Sequence, residues 1–172
     1  MKILLPLVAL LLASSATAAE TDTCGATPAA PPAHFSDWAG PSALASATSA
    51  TSAAGLAQAG FKVGEAVELK LHPDGEVAYQ TLPQGEGEAS SYGGMARFTV
   101  TEPGLYQVGL GSPAWVDVVR DGKAQPTVAF GHGPACTGIR KVVSFQLQPG
   151  DYALEISGSE GADIRVIVGK SG

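Results

Sequence analysis

Two stretches decide the fold: FTVTEPGLYQVGL at residues 98–110 and FQLQPGDYALEI at residues 145–156. Each is an alternating apolar run, a Pro-Gly turn, and a second alternating run that opens with Tyr106 or Tyr152. Alternation with period two marks a strand with one face buried, and Pro-Gly supplies the backbone angles of a tight reversal. Both stretches therefore read as strand, turn and returning strand. Each tyrosine is placed to lay its ring over the turn and to hydrogen-bond its hydroxyl at the sheet edge.

The same pattern extends outward on both sides. VELKLH (67–72), EVAYQTL (76–82), ARFTVT (96–101), LYQVGLG (105–111), AWVDVVRD (114–121), PTVAF (126–130), KVVSFQLQ (141–148), YALEIS (152–157) and IRVIVG (164–169) make about nine short strands. Turn residues punctuate them, and no strand–helix–strand alternation is present. The expectation is an all-β domain over residues 61–172, an antiparallel sandwich of jelly-roll or immunoglobulin-like kind. Residues 83–94, PQGEGEASSYGG, read as a long loop. Residues 19–60 differ in composition: rich in Ala, Ser, Thr and Pro, they read as a surface-lying lead-in with Phe35 and Trp38 as apolar handholds. Within it, Leu44 to Leu56 has the makings of a short Ala-rich helix.

The chain opens MKILLPLVALLLASSATAA, with one cation at Lys2, a short apolar run and Ala16-Thr17-Ala18. That is the form of a secretory signal peptide over residues 1–18, too short for a membrane span, so a periplasmic or secreted protein without membrane insertion is expected. Cleavage after Ala18 removes 18 of 172 residues and leaves 154, with 9 basic against 16 acidic residues. An acidic surface repels nucleic acid, which is excluded as a partner. Cys24 and Cys136 are the only cysteines. In an oxidising compartment a pair reads as a disulfide, and closing so long a loop is worth on the order of 4 to 5 kcal/mol in the chain-entropy model.

That bond would fasten the start of the exported chain to AFGHGPACTGIRK, residues 129–141, which sets His132, Cys136, Arg140 and Lys141 among glycines 131, 133 and 138 and Pro134. A stiff loop exposing N–H groups beside Arg140 and Lys141 suits a carboxylate or other anion. The plainer reading pairs Arg140 with Asp117 or Asp121. Trp115, near a strand start, either stacks on a sugar or aromatic ligand or belongs to the core. His132 either shapes the loop through a backbone carbonyl or joins His34, with Asp37 or Asp117, in a metal site. His72, on a polar strand face, reads as solvated. Glu86 and Glu88 with Asp74 offer carboxylates for calcium, although an acidic loop has the same composition. No G-x-S-x-G elbow occurs, and Gly109-Leu110-Gly111 is followed by no helix, so neither hydrolase nor nucleotide-loop chemistry is indicated.

Over residues 95–168 the Pro-Gly-x-Tyr phrasing resembles the sandwich modules of pre-peptidase C-terminal type, which implies a jelly-roll-like fold and an accessory or binding role. Residues 91–156 carry SYGG, AWVDVVRDG, GHGPAC and GIRK in sequence. This layout resembles that of short exported bacterial proteins, some labelled homogentisate 1,2-dioxygenase. The label implies a non-haem iron enzyme that opens an aromatic ring with dioxygen through two histidines and a carboxylate. The residues themselves favour a binding or accessory protein without a cofactor, contacting a small molecule, glycan or envelope protein through Trp115, His132, Arg140 and Lys141. The alternative is a small oxygenase holding iron or another divalent metal at His132 and His34.

Overall fold

The computed structural model describes residues 24–39, 45–48, 50–81 and 91–172. The signal-peptide segment and the Glu86–Glu88 loop lie outside the described residues. The strands are β1 (Ala45–Thr48), β2 (Ala66–Lys70), β3 (His72–Pro73), β4 (Tyr92–Val100), β5 (Gly104–Leu110), β6 (Trp115–Arg120), β7 (Lys123–Ala124), β8 (Thr127–His132), β9 (Lys141–Leu147), β10 (Gly150–Ser159) and β11 (Asp163–Ser171). They form two sheets, in the orders β1-β2-β11-β5-β9-β8 and β3-β4-β10-β6-β7.

The pairings are nested: β2 with β11, β4 with β10, β5 with β9, β6 with β7. Early strands thus pair with late ones, as in a long hairpin ribbon rolled across two layers. That is the jelly-roll arrangement, and β1, β3 and β8 extend its edges. Between the sheets lie Phe98, Val108, Leu110, Val118, Phe145, Leu154, Ile156, Val166 and Val168, contributed by alternate residues of facing strands. Each such side chain gains about 1.5 to 3 kcal/mol on leaving water.

The two Pro-Gly turns behave alike. Tyr106 donates its hydroxyl hydrogen bond to the Glu102 carbonyl at 2.9 Å, and Tyr152 donates to the Gln148 carbonyl at 2.8 Å. In both, the hydroxyl reaches back four residues across the reversal. Tyr152 Oη also accepts from the Gln148 N–H at 3.1 Å.

Both outer faces are partly covered by the first half of the chain. On the six-stranded sheet, Phe35 and Trp38 are buried against Ala66, Ile139 and Ile167, within a 3-10 segment over Ala33–Ala39. Gly169 lies beneath it, where a Cβ would stand 2.2 Å from the His34 carbonyl oxygen, so only glycine lets the segment lie this close. On the other sheet Met95 is covered by Ala50 and Ala59, with Val77 and Tyr79 alongside. Beside them, Glu155, only 2% exposed, accepts from the Gln80 and Thr81 N–H groups and from the Thr81 hydroxyl.

Three expectations need correction: residues 92–94, read as the end of a long loop, begin β4, where Gly93 pairs with His72 and Gly94 with Ile156. EVAYQTL does not form the expected strand over its described residues: Asp74–Glu76 is a 3-10 turn and residues 77–81 lie as coil, with Val77 and Tyr79 packed on Met95. Their alternation is satisfied by lying on a sheet, without joining one. Leu44 to Leu56 is not an Ala-rich helix either, because Ala45–Thr48 is a strand parallel to β2 and Ala53–Gln58 is a 3-10 turn. Pairing with the exposed edge of β2 outweighs the helix preference of alanine there. His72 is half-buried, where β3 pairs with Gly93 of β4.

Candidate functional site

Residues 133–140 join the edge strand β8 to β9 and are tied down at several points. Cys24 and Cys136 form a disulfide. The Ala29 N–H donates to the Cys136 carbonyl at 2.8 Å, and Trp38 Nε1 donates to the Thr137 carbonyl at 3.1 Å. From the sheet side, the Arg140 N–H donates to the Leu110 carbonyl at 2.7 Å. Inside the loop, Thr137 Oγ1 donates to the Pro134 carbonyl and accepts from the Ile139 N–H. Gly133 permits the tight return, since a Cβ there would stand 2.1 Å from the Ile139 carbonyl oxygen. The backbone is left-handed at Cys136, φ +61°, and at Gly138, φ +80°.

This tip borders a cleft of about 860 Å³. Its walls are the tip itself, Cys24 to Pro28, Trp38, Gly111 and Ser112 just past β5, Glu68 of β2 and Asp163 to Arg165 of β11. A volume of that order accommodates an organic ligand. The charges around it are largely spoken for. Arg165 faces Glu68 at 3.6 Å and lies 5.5 Å from the Trp38 ring centre, and Asp163 pairs with Lys70.

Arg140 is different. It is exposed, and its guanidinium has no ion pair or hydrogen bond among the described residues. The expected bridges to Asp117 or Asp121 do not form: Asp117 accepts from Trp115 Nε1 at 2.8 Å, and Asp121 sits 3.7 Å from Arg120. Alternation along β9 accounts for this, since Lys141, not Arg140, shares the face that leads toward β6.

The four residues expected to contact ligand therefore divide. His132 and Arg140 line the cleft; Trp115 and Lys141 do not. Lys141 Nζ donates to the Ala114 carbonyl at 2.6 Å and lies 5.5 Å from the Trp115 ring centre. Burial holds the Lys141 ammonium below its usual range, with the Asp117 carboxylate pulling the other way. Burial likewise pushes Asp117 up, against the opposing hydrogen bond from Trp115 and the charge of Lys141. Trp115 is not a core residue: it is 37% exposed, on the face of β6 opposite Val116 and Val118.

His132 is exposed and also borders a smaller hollow of about 370 Å³ with Phe35, Gln107 and Phe130. Its expected bond to a backbone carbonyl is not made among the described residues. His34 Nε2 hydrogen-bonds Gln107 Oε1 at 2.7 Å, and its ring packs on Phe35. Asp37 Oδ2 accepts from the Ala66 N–H. Among the described residues no three of His, Cys, Asp and Glu stand close enough to hold a metal ion. Asp74 is engaged by Tyr79, Ser91 and the Gly158 N–H.

The role of Trp38 in holding the loop, and the contribution of Glu68, Asp163 and Arg165 to the cleft, were not readable in the sequence. Only the neighbouring glycines hinted at close approach. Among the described residues no helix is long and apolar enough to cross a membrane. Compared with protein-family models and with curated proteins, the chain matches none.

Proposed function

We propose that this is an exported binding or accessory protein whose 130–141 loop receives a small molecule, glycan or protein at the cleft beside Arg140. One observation carries the reading: a cleft of about 860 Å³ is bordered by a loop held by a disulfide, and the Arg140 guanidinium on its wall has no partner among the described residues. The signal-peptide form of residues 1–18 supports export, and the disulfide agrees with it. The resemblance to pre-peptidase C-terminal-type modules points the same way, toward an accessory role.

The test is calorimetric titration of the oxidised protein against panels of organic acids, aromatic acids and oligosaccharides, repeated with Arg140→Ala. Binding by the parent and its loss in a variant of unchanged melting temperature is the expected result. Equal binding by both removes the loop from the site. Iron retained on purification, and lost in His132→Ala, would replace this reading with the metal-dependent oxygenase.

A further inference from the structure

We propose that the cleft recognises the carboxylate of a small organic acid, held by Arg140 together with the free N–H groups of Ala135, Cys136 and Gly138, and only while the Cys24–Cys136 bond is intact. This rests on the reading of the cleft as a binding site and narrows it to one ligand chemistry and one redox state. The donors are those the loop leaves over. Its N–H groups at Gly133, Thr137 and Ile139 are consumed by bonds within the loop and that of Arg140 by the Leu110 carbonyl of β5, whereas those of Ala135, Cys136 and Gly138 meet no acceptor among the described residues.

Left-handed residues interleaved in a turn are the element from which anion-binding concavities of backbone N–H groups are built, and Cys136 and Gly138 stand two apart in that conformation. Arg140 adds a planar fork of donors that matches a carboxylate edge to edge. The two acids on the walls do not oppose an incoming anion, because Glu68 faces Arg165 and Asp163 faces Lys70. Lys141 is no part of the set, being turned to the Ala114 carbonyl.

The dependence on the disulfide follows from position. Cys136 is itself one of the left-handed residues, its N–H is one of the three donors, and the bond to Cys24 anchors it to the lead-in. A non-glycine residue reaches that conformation only where its surroundings impose it. Without the tether, Cys136 keeps only the hydrogen bond from the Ala29 N–H to the lead-in, and the left-handed turn that sets its own N–H is less firmly held.

The experiment is an amide nitrogen–proton NMR titration of the full chain with benzoate, and with benzyl alcohol as a neutral counterpart at equal ionic strength. Saturable shifts at Ala135, Cys136 and Gly138 with benzoate alone are expected. Affinity should fall by about tenfold in Arg140→Ala, the loss of one charge-assisted contact, with partial recovery in Arg140→Lys. The Cys24→Ser/Cys136→Ser double variant, shown folded by its dispersed spectrum, should lose the saturable response. Equal response to benzyl alcohol overturns the carboxylate assignment while leaving a binding cleft in place. Absence of any saturable shift at the three amides, or undiminished affinity in Arg140→Ala, overturns the proposal, and undiminished affinity in the double variant overturns its redox dependence.

Discussion

Tyr106 and Tyr152 occupy equivalent places in two turns, yet their hydroxyls do unequal amounts of bonding. Tyr152 Oη serves both the carbonyl and the N–H of Gln148 and accepts from Arg120 Nη1 at 3.4 Å, while among the described residues Tyr106 Oη bonds the Glu102 carbonyl alone. Removing a buried hydroxyl strands the groups it satisfied, so Tyr152→Phe is expected to lower the unfolding free energy by about 1 to 3 kcal/mol, and more than Tyr106→Phe; urea denaturation of both variants checks the order. Asp117 gives a second expectation at this scale. Its carboxyl is raised by burial and drawn down by the Trp115 hydrogen bond and by Lys141, so Trp115→Phe should move its midpoint further up in a carbon-detected NMR titration. Because the folded value lies above the unfolded one, this group favours the fold fully below its unfolded pKa, and that contribution is lost as pH rises through the folded value. The tyrosines were legible because a Pro-Gly reversal dictates the start of the returning strand. The solitude of Arg140 was not, since it depends on which partners Asp117 and Asp121 take up elsewhere.

Among the elements, β8 departs furthest from the rest of its sheet. All six of its residues are exposed, with Phe130 at 79% and Val128 at 58%, and it has one neighbour, β9, with a register shift between Thr127 and Ala129. A strand that buries no side chain opens at low free energy. Amide hydrogen exchange should therefore find Thr127–His132 less protected than β5, β9 or β11, and protection of β8 equal to that of β9 would contradict so open an edge. PTVAF was legible as a strand from its β-branched and aromatic residues. That its apolar side chains stay in water was not, because sequence alternation does not say how far the opposite sheet extends. The converse holds for EVAYQTL, whose Val77 and Tyr79 are sheltered by Met95 without any ladder of their own. Ala45–Thr48 shows the weakest signal of all: small residues carry no period, and only the vacant edge of β2 made them a strand.

For the molecule as a whole, the sandwich and its ribbon-like pairing were within reach of the sequence, because turns recur at regular spacing and core positions alternate. The position of the lead-in was only half so: Phe35 and Trp38 announced themselves as apolar, but nothing local said that the Trp38 indole would hold Thr137. Cleaving the disulfide should expose this dependence. Its two ends are separated by 112 residues, and the Cys24→Ser/Cys136→Ser variant is expected to lose on the order of 4 kcal/mol in chemical denaturation, by the loop-entropy relation. A loss close to zero would mean that the contacts of Phe35 and Trp38 already fix the lead-in unaided. The same long reach has a temporal side. A ribosome makes Cys24 early and Cys136 only after all of β1 to β8, and β2 must wait longer still for β11. The nascent polypeptide consequently carries an unpaired thiol and a strand with one edge still open through most of its synthesis, and whatever shields that interval from wrong partners governs the yield of correctly closed molecules.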